Sequence, residues 1–227
     1  MAILVMIAGG WRGGWTYARL AAALRAEGHE VHTPTLTGLD DDPAIRDPIG
    51  GVNLETHIHD VLELITVEDL YDVVLVSHSY GGMVATAVAD RVRERVSALV
   101  YLDAFVPDNG QSWWDVADDG FRNLVVARAR HDGFSVMPPE GGNRDPRRAP
   151  HPLATFLQEL HLSGRERTVE TRVFVYASGW AATPFTPQYE RLRADPAWQV
   201  HTIDCGHDLA NDAPDAVMTI LRQVIER

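Results

Sequence analysis

Three residue types spread along this chain could together do acyl-transfer chemistry: a serine at a sharp turn, a histidine near the far end, and an acid between them. The serine is Ser79, in the run Val73-Val74-Leu75-Val76-Ser77-His78-Ser79-Tyr80-Gly81-Gly82. An apolar β-branched stretch breaks there into a small-residue stretch that reads as helix. Such a strand–turn–helix bend holds the central side chain at the sheet edge and aims the first helical N–H groups at whatever it attacks. A serine hydroxyl is a poor nucleophile on its own. It needs a base, an acid that fixes the base's tautomer, and donors for the oxyanion.

The base is expected at His207, in Asp204-Cys205-Gly206-His207-Asp208 between the last strand and the last helix. That loop lifts an imidazole above the same sheet edge. The chain has ten histidines, and the others, His57, His78 and His151 among them, read as packing or surface residues. The acid is harder to find. The loop after the penultimate strand, Ala177-Ser178-Gly179-Trp180-Ala181-Ala182-Thr183-Pro184, holds no carboxylate. Asp103 stands at the end of the strand next to the serine strand, flanked by apolar residues. Burying a carboxylate without a partner is costly, so Asp103 is expected to be the acid. Asp204, Asp208 and Asp212 compete, but they lie where they would cap the last helix. The oxyanion donors are expected to be the backbone amides of Tyr80 and Gly10, with Trp11 as the alternative to Gly10. The Gly9-Gly10-Trp11-Arg12-Gly13-Gly14 loop matches neither the dinucleotide spacing nor a P-loop, and the chain contains no lysine.

These residues need a frame. Six apolar runs read as strands: Ile3–Ala8, Glu30–Thr33, Val73–Ser77, Ala98–Asp103, Arg172–Ala177 and Gln199–Ile203. Several are apolar throughout, as in a sheet covered on both faces. Helical patterns alternate with them: Tyr17–Glu27, Leu54–Val67 behind a cap at Asn53, Tyr80–Val92, Gln188–Arg193 and Asp215–Glu226. The expected fold is α/β, a doubly wound, mostly parallel sheet of about six strands, with a helical cap inserted after the strand ending near Asp103. Residues 1–106 and 169–227 would form the core and 107–168 the insertion, in one domain overall. A Pro/Gly/Arg-rich stretch, Pro138 to Pro150, reads as a loop of that cap.

Composition narrows the function. With 227 residues and 45% hydrophobic content the chain can bury a full two-sided sheet. A net charge of −12 argues against nucleic acid and anionic membranes, because both need clustered cations. It also disfavours strongly anionic substrates, unless a local arginine overrides the global field. The single Cys205 allows no internal disulfide. Met1 to Ala8 lacks a basic flank and reads as a buried strand, so a cytoplasmic location is expected.

The chain resembles the α/β-hydrolase superfamily over nearly its whole length. It looks most like the small esterases related to plant methyl esterases and hydroxynitrile lyases, with bacterial relatives carrying a Ser-His-Ser-Tyr-Gly-Gly type of elbow. The resemblance implies Ser79 as nucleophile, His207 as base, and the Gly10 and Tyr80 amides as oxyanion hole. Ser77 replaces the first glycine of the usual elbow, Ala8-Gly9 replaces the usual His-Gly, and the usual acid position is empty. Some haloalkane dehalogenases of the superfamily place their acid after the strand corresponding to Ala98–Leu102, in a pattern like Tyr101-Leu102-Asp103-Ala104. Those enzymes use an aspartate nucleophile, which Ser79 argues against. The lyases carry a lysine after the histidine, where this chain has Asp208.

The expected function is hydrolysis of a small, largely apolar carboxylic ester or lactone through an acyl-enzyme on Ser79, without a cofactor or metal. A cofactor-free lyase and a non-catalytic small-molecule receptor are the alternatives. Trp11, Trp15, Trp113, Trp114 and Trp180 are candidates for the pocket wall. The expected partner is the small molecule alone, with no nucleic acid and no membrane; a homodimer is the assembly left open.

Overall fold

The computed structural model describes residues 1–44, 49–140, 145–181 and 183–226. Its centre is a six-stranded sheet in which every neighbouring pair is parallel. The strands are β1 (Ile3–Ile7), β2 (Glu30–His32), β3 (Val73–His78), β4 (Val96–Leu102), β7 (Thr171–Ala177) and β8 (Gln199–Ile203), in the order β2-β1-β3-β4-β7-β8. The six expected strands are all present, with ends moved by one or two residues.

Side-chain alternation explains why the strands read as unbroken apolar runs. Val5, Ile7, Val73, Leu75, Leu99 and Tyr101 enter one core, and Leu4, Met6, Val74, Val76, Val100 and Leu102 enter the other. The first core is closed by α2 (Leu54–Val67) and α3 (Gly81–Arg91), the second by α1 (Ala18–Ala26) and α9 (Pro214–Ile225). The α2 start is as expected: the Asn53 side chain accepts the Thr56 N–H at 3.1 Å.

Between β4 and β7 the chain leaves the sheet. It forms α4 (Trp113–Val116), α5 (Asp119–Arg128), an antiparallel pair β5 (Ser135–Val136) and β6 (His151–Pro152), and α6 (Ala154–Leu157). The expected cap carries three helices, the longest of ten residues, and a small two-stranded ribbon holds its middle. Residues 141–144 of the Pro138–Pro150 loop lie outside the described residues, as does Ala182. The remaining helices are α7 (Thr186–Arg193) and α8 (Leu209–Asp212), the latter not anticipated from sequence. Among the described residues no helix is long and apolar enough to cross a membrane.

The topology fixes where a site can form. The order of strand addition reverses between β1 and β3, since β2 lies to one side of that pair and β4 to the other. Loops that leave the carboxyl ends of strands at such a switch point diverge and leave a crevice. The loops after β1, β3, β4 and β8 carry Gly10, Ser79, Asp103 and His207 respectively.

Candidate active site

Ser79 sits immediately after β3 with φ of 50°, a left-handed conformation that a non-glycine residue adopts only when its surroundings enforce it. The enforcement is visible. The Ser79 carbonyl accepts the N–H groups of Gly82 at 3.1 Å and Phe105 at 3.0 Å. A Cβ on Gly82 would lie 2.0 Å from the Phe105 carbonyl oxygen, so only glycine lets α3 start this close to the chain after β4. The Ser79 side chain is half-buried at a cavity wall.

Asp103 follows β4 with φ of 45° and is fully buried. Its Oδ2 accepts the Nδ1–H of His207 at 2.7 Å, and its Oδ1 accepts the Ala177 N–H at 3.3 Å. The residue is thus paired, as the cost of burying it required. Burial raises the Asp103 carboxyl above the ordinary range; it also lowers the His207 imidazole, with the Arg12 guanidinium adding to that effect. With the proton on Nδ1 facing Asp103, Nε2 of His207 keeps a lone pair. The ring is stacked on Phe185 at 5.3 Å, meets Trp180 at 4.8 Å, and remains 27% exposed. Among the competing acids, Asp204 is exposed. Asp208 does not cap a helix with its side chain as expected: its carboxylate holds Arg12 at 2.5 Å. Arg12 in turn is largely shielded from solvent, its side chain 18% exposed.

Ser79 and His207 face one cavity of about 360 Å³, together with Gly9 and Gly10. Trp11, Phe121, Leu124 and Trp180 supply its apolar wall. Three of the tryptophans proposed for that wall are elsewhere. Trp113 is buried against Phe156 at 4.5 Å. Trp114 packs on the core, and Trp15 lies under the Arg147 guanidinium at 4.1 Å. Phe121 and Leu124 lie on α5, a short helix of the insertion whose sequence has no periodicity to say which face meets a ligand.

The glycine loop is fastened at Trp11. Trp11 has φ of 65° and donates its N–H to Nδ1 of His151 at 3.2 Å. That amide is already engaged, which favours Gly10 over Trp11 as an oxyanion donor. The Trp11 indole donates to the Val136 carbonyl at 2.8 Å, and its carbonyl accepts the Ala149 N–H at 3.0 Å.

Three histidines read as ordinary turn out to be buried supports. His78 donates Nε2–H to the backbone carbonyl of His207 at 2.8 Å, tying the two loops together. A Cβ on Gly9 would lie 2.7 Å from Nδ1 of this ring. His151, which accepts from Trp11, donates its other nitrogen to Thr155 Oγ1 at 2.8 Å. His57 donates Nε2–H to the Thr37 carbonyl at 3.0 Å and accepts the Tyr80 hydroxyl at 2.8 Å. The only sequence signal for these was location, most clearly for His78 at the end of a fully buried strand. Among the described residues no group of three or more His, Cys, Asp or Glu side chains is placed to hold a metal.

Burial lowers all three of these imidazoles, His57 to about 4, His78 to about 3, and His151 well below its ordinary value. They are neutral in the folded chain, whereas the unfolded chain protonates them below about pH 6.5. The unfolded state then binds more protons, so stability is full above that pH and is lost as pH falls. Asp103, raised by burial, works in the opposite sense. His207, lowered by burial as well, adds to the loss, and the net expectation is a loss on the order of 5 kcal/mol between pH 7 and pH 5. Urea midpoints across that range would measure it, and a flat profile would contradict neutral burial.

A parallel sheet with a serine held at a left-handed turn after β3, and an Asp–His pair brought together from the loops after β4 and β8, defines an α/β frame with its polar residues at one sheet edge. The chain belongs to the alpha/beta hydrolase family, whose model matches residues 4–220. It is 40% identical to a carbendazim hydrolyzing esterase of Nocardioides sp. (strain SG-4G), over 95% of this chain and 96% of that one. It is 31% identical to methylesterase 1 of Arabidopsis thaliana, over 48% of this chain and 41% of the relative. Among solved structures, an extracellular alpha/beta-hydrolase from a Paenibacillus species shares the fold. Its TM-score is 0.80 at 22% identity, covering 99% of each chain.

Proposed function

We propose that this chain hydrolyses a small, largely apolar carboxylic ester or lactone in two acyl-transfer steps, with Ser79 as nucleophile, His207 as base and Asp103 as orienting acid. The observation that carries the reading is the 2.7 Å His207–Asp103 contact, which leaves Nε2 of His207 unprotonated in the cavity that Ser79 lines. His207 takes the Ser79 proton as Oγ bonds to the ester carbonyl carbon. The amides of Gly10 and Tyr80 hold the resulting oxyanion. His207 gives that proton to the departing alkoxide oxygen, and the C–O bond breaks. Water then loses a proton to His207 and attacks the acyl-enzyme; the acid leaves and Ser79 regains its proton. No step in this sequence calls on a cofactor. The apolar wall of Trp11, Phe121, Leu124 and Trp180 supports a compact, aromatic or aliphatic substrate. The related Nocardioides esterase makes carbendazim a natural member of the first panel, beside aryl esters and lactones. The net charge of −12 supports a small-molecule partner over nucleic acid or membrane, and a cytoplasmic location remains part of the proposal.

A fluorophosphonate probe tests the nucleophile. Wild-type protein is expected to label stoichiometrically and Ser79→Ala not at all. Folded wild-type protein that resists the probe would favour a receptor instead. A lyase would turn over substrate without an acyl adduct on Ser79, which mass spectrometry of quenched reactions would reveal.

A further inference from the structure

Two guanidinium groups stand at the wall of the Ser79 cavity, Arg12 and Arg148, and they are not equivalent. Arg12 is matched by Asp208 at 2.5 Å. Arg148 is half-buried. Among the described residues its guanidinium makes one hydrogen bond, from Nη1 to the Pro139 carbonyl at 3.3 Å, and its Nε is buried without a partner. The acids that act on it, Asp145 and Asp208, are already engaged, Asp145 by both Nε and Nη2 of Arg147 and Asp208 by Arg12. Burial, and then the charges of Arg12 and Arg128, hold the Arg148 guanidinium below its ordinary range.

An under-coordinated cation in a half-buried wall is costly unless something arrives to pair with it. The chain as a whole carries −12, so this local surplus of positive charge is not part of a generally basic surface. A guanidinium offers parallel N–H groups whose spacing matches a carboxylate. Away from the two arginines, Ser79 and the two histidines, the wall is apolar, with Trp11, Phe121, Leu124, Pro139 and Trp180. We propose that Arg148 is a specificity-determining residue that receives a carboxylate of the substrate, so that the preferred ester is apolar in its middle and anionic at one end. This rests on the hydrolase reading of Ser79 and deepens it.

Two matched pairs of aryl esters test the proposal. One pair sets para-nitrophenyl hydrogen glutarate against para-nitrophenyl methylhexanoate, with the carboxylate on the acyl side. The other sets para-acetoxybenzoate against para-isopropylphenyl acetate, with the carboxylate on the leaving side. Wild-type protein is expected to prefer the anionic member of one pair by about tenfold in kcat/KM, mainly through KM. Arg148→Gln is expected to lower that anionic-to-neutral ratio by about tenfold, and Arg148→Lys to retain part of it. Calorimetry of para-isopropylbenzoate binding to the Ser79→Ala protein, with the corresponding benzamide as neutral control, reads the same cation without turnover. The proposal is overturned if the neutral member is preferred in both pairs. It is also overturned if Arg148→Gln depresses both members alike, or if the benzoate binds no better than the benzamide. Failure to cleave any ester would strike the hydrolase reading alone, and the benzoate comparison would still decide the role of Arg148.

Discussion

Ser79→Ala is expected to lower kcat for aryl-ester hydrolysis by about 10⁶-fold, the scale on which nucleophile removal acts in serine hydrolases. The same change should barely move stability. The hydroxyl makes no hydrogen bond within the described residues, and alanine keeps the Cβ in the same left-handed backbone. The thermal midpoint therefore separates lost chemistry from lost folding. A variant that retained a hundredth of wild-type turnover would remove Ser79 from the reaction and with it the acyl-enzyme.

Asp103→Asn is expected to cost about 10⁴-fold in kcat with the fold intact, on the scale seen when the orienting acid of such a triad becomes an amide. The reason is tautomeric. Asp103 Oδ2 accepts the Nδ1 proton of His207 at 2.7 Å. A carboxamide there can donate toward Nδ1 instead, which moves the imidazole proton to Nε2, the nitrogen that must accept from Ser79. Asp204→Asn serves as the control, because Asp204 is exposed and a change there should leave turnover near wild type. Near-normal kcat for Asp103→Asn would dismiss the assignment of the acid, whatever the distance.

Much of this frame was legible because its signals are local. β3 and the serine turn are contiguous in sequence, and the Asn53 cap and α2 follow from a few neighbouring residues. Asp103 could be reached by elimination, since the usual acid loop was empty and a carboxylate at a buried strand end needs a partner. The supports were illegible for the opposite reason. Trp11 and His151 are bonded across 140 residues of chain, and Arg12 and Asp208 across 196. No periodicity connects positions so distant, and a histidine's tautomer and partners appear only when three dimensions close. The pocket wall escaped for a related reason: Trp15, Trp113 and Trp114 had the right chemistry, but packing turned them elsewhere, toward Arg147, Phe156 and the core.

The fastening of Trp11 has a consequence for how such a molecule could diversify. Its amide, indole and carbonyl are gripped by His151, Val136 and Ala149, all from the inserted segment. A graft that exchanged this whole segment for a cousin's would unlatch the turn beside Gly10, and so disarm the core it was meant to retune. The stretch carrying Phe121 and Leu124 takes no part in that grip, yet it borders the cavity. Laboratory or natural selection for new substrates is thereby channelled into α5, where side chains can be traded without unfastening the machinery beneath.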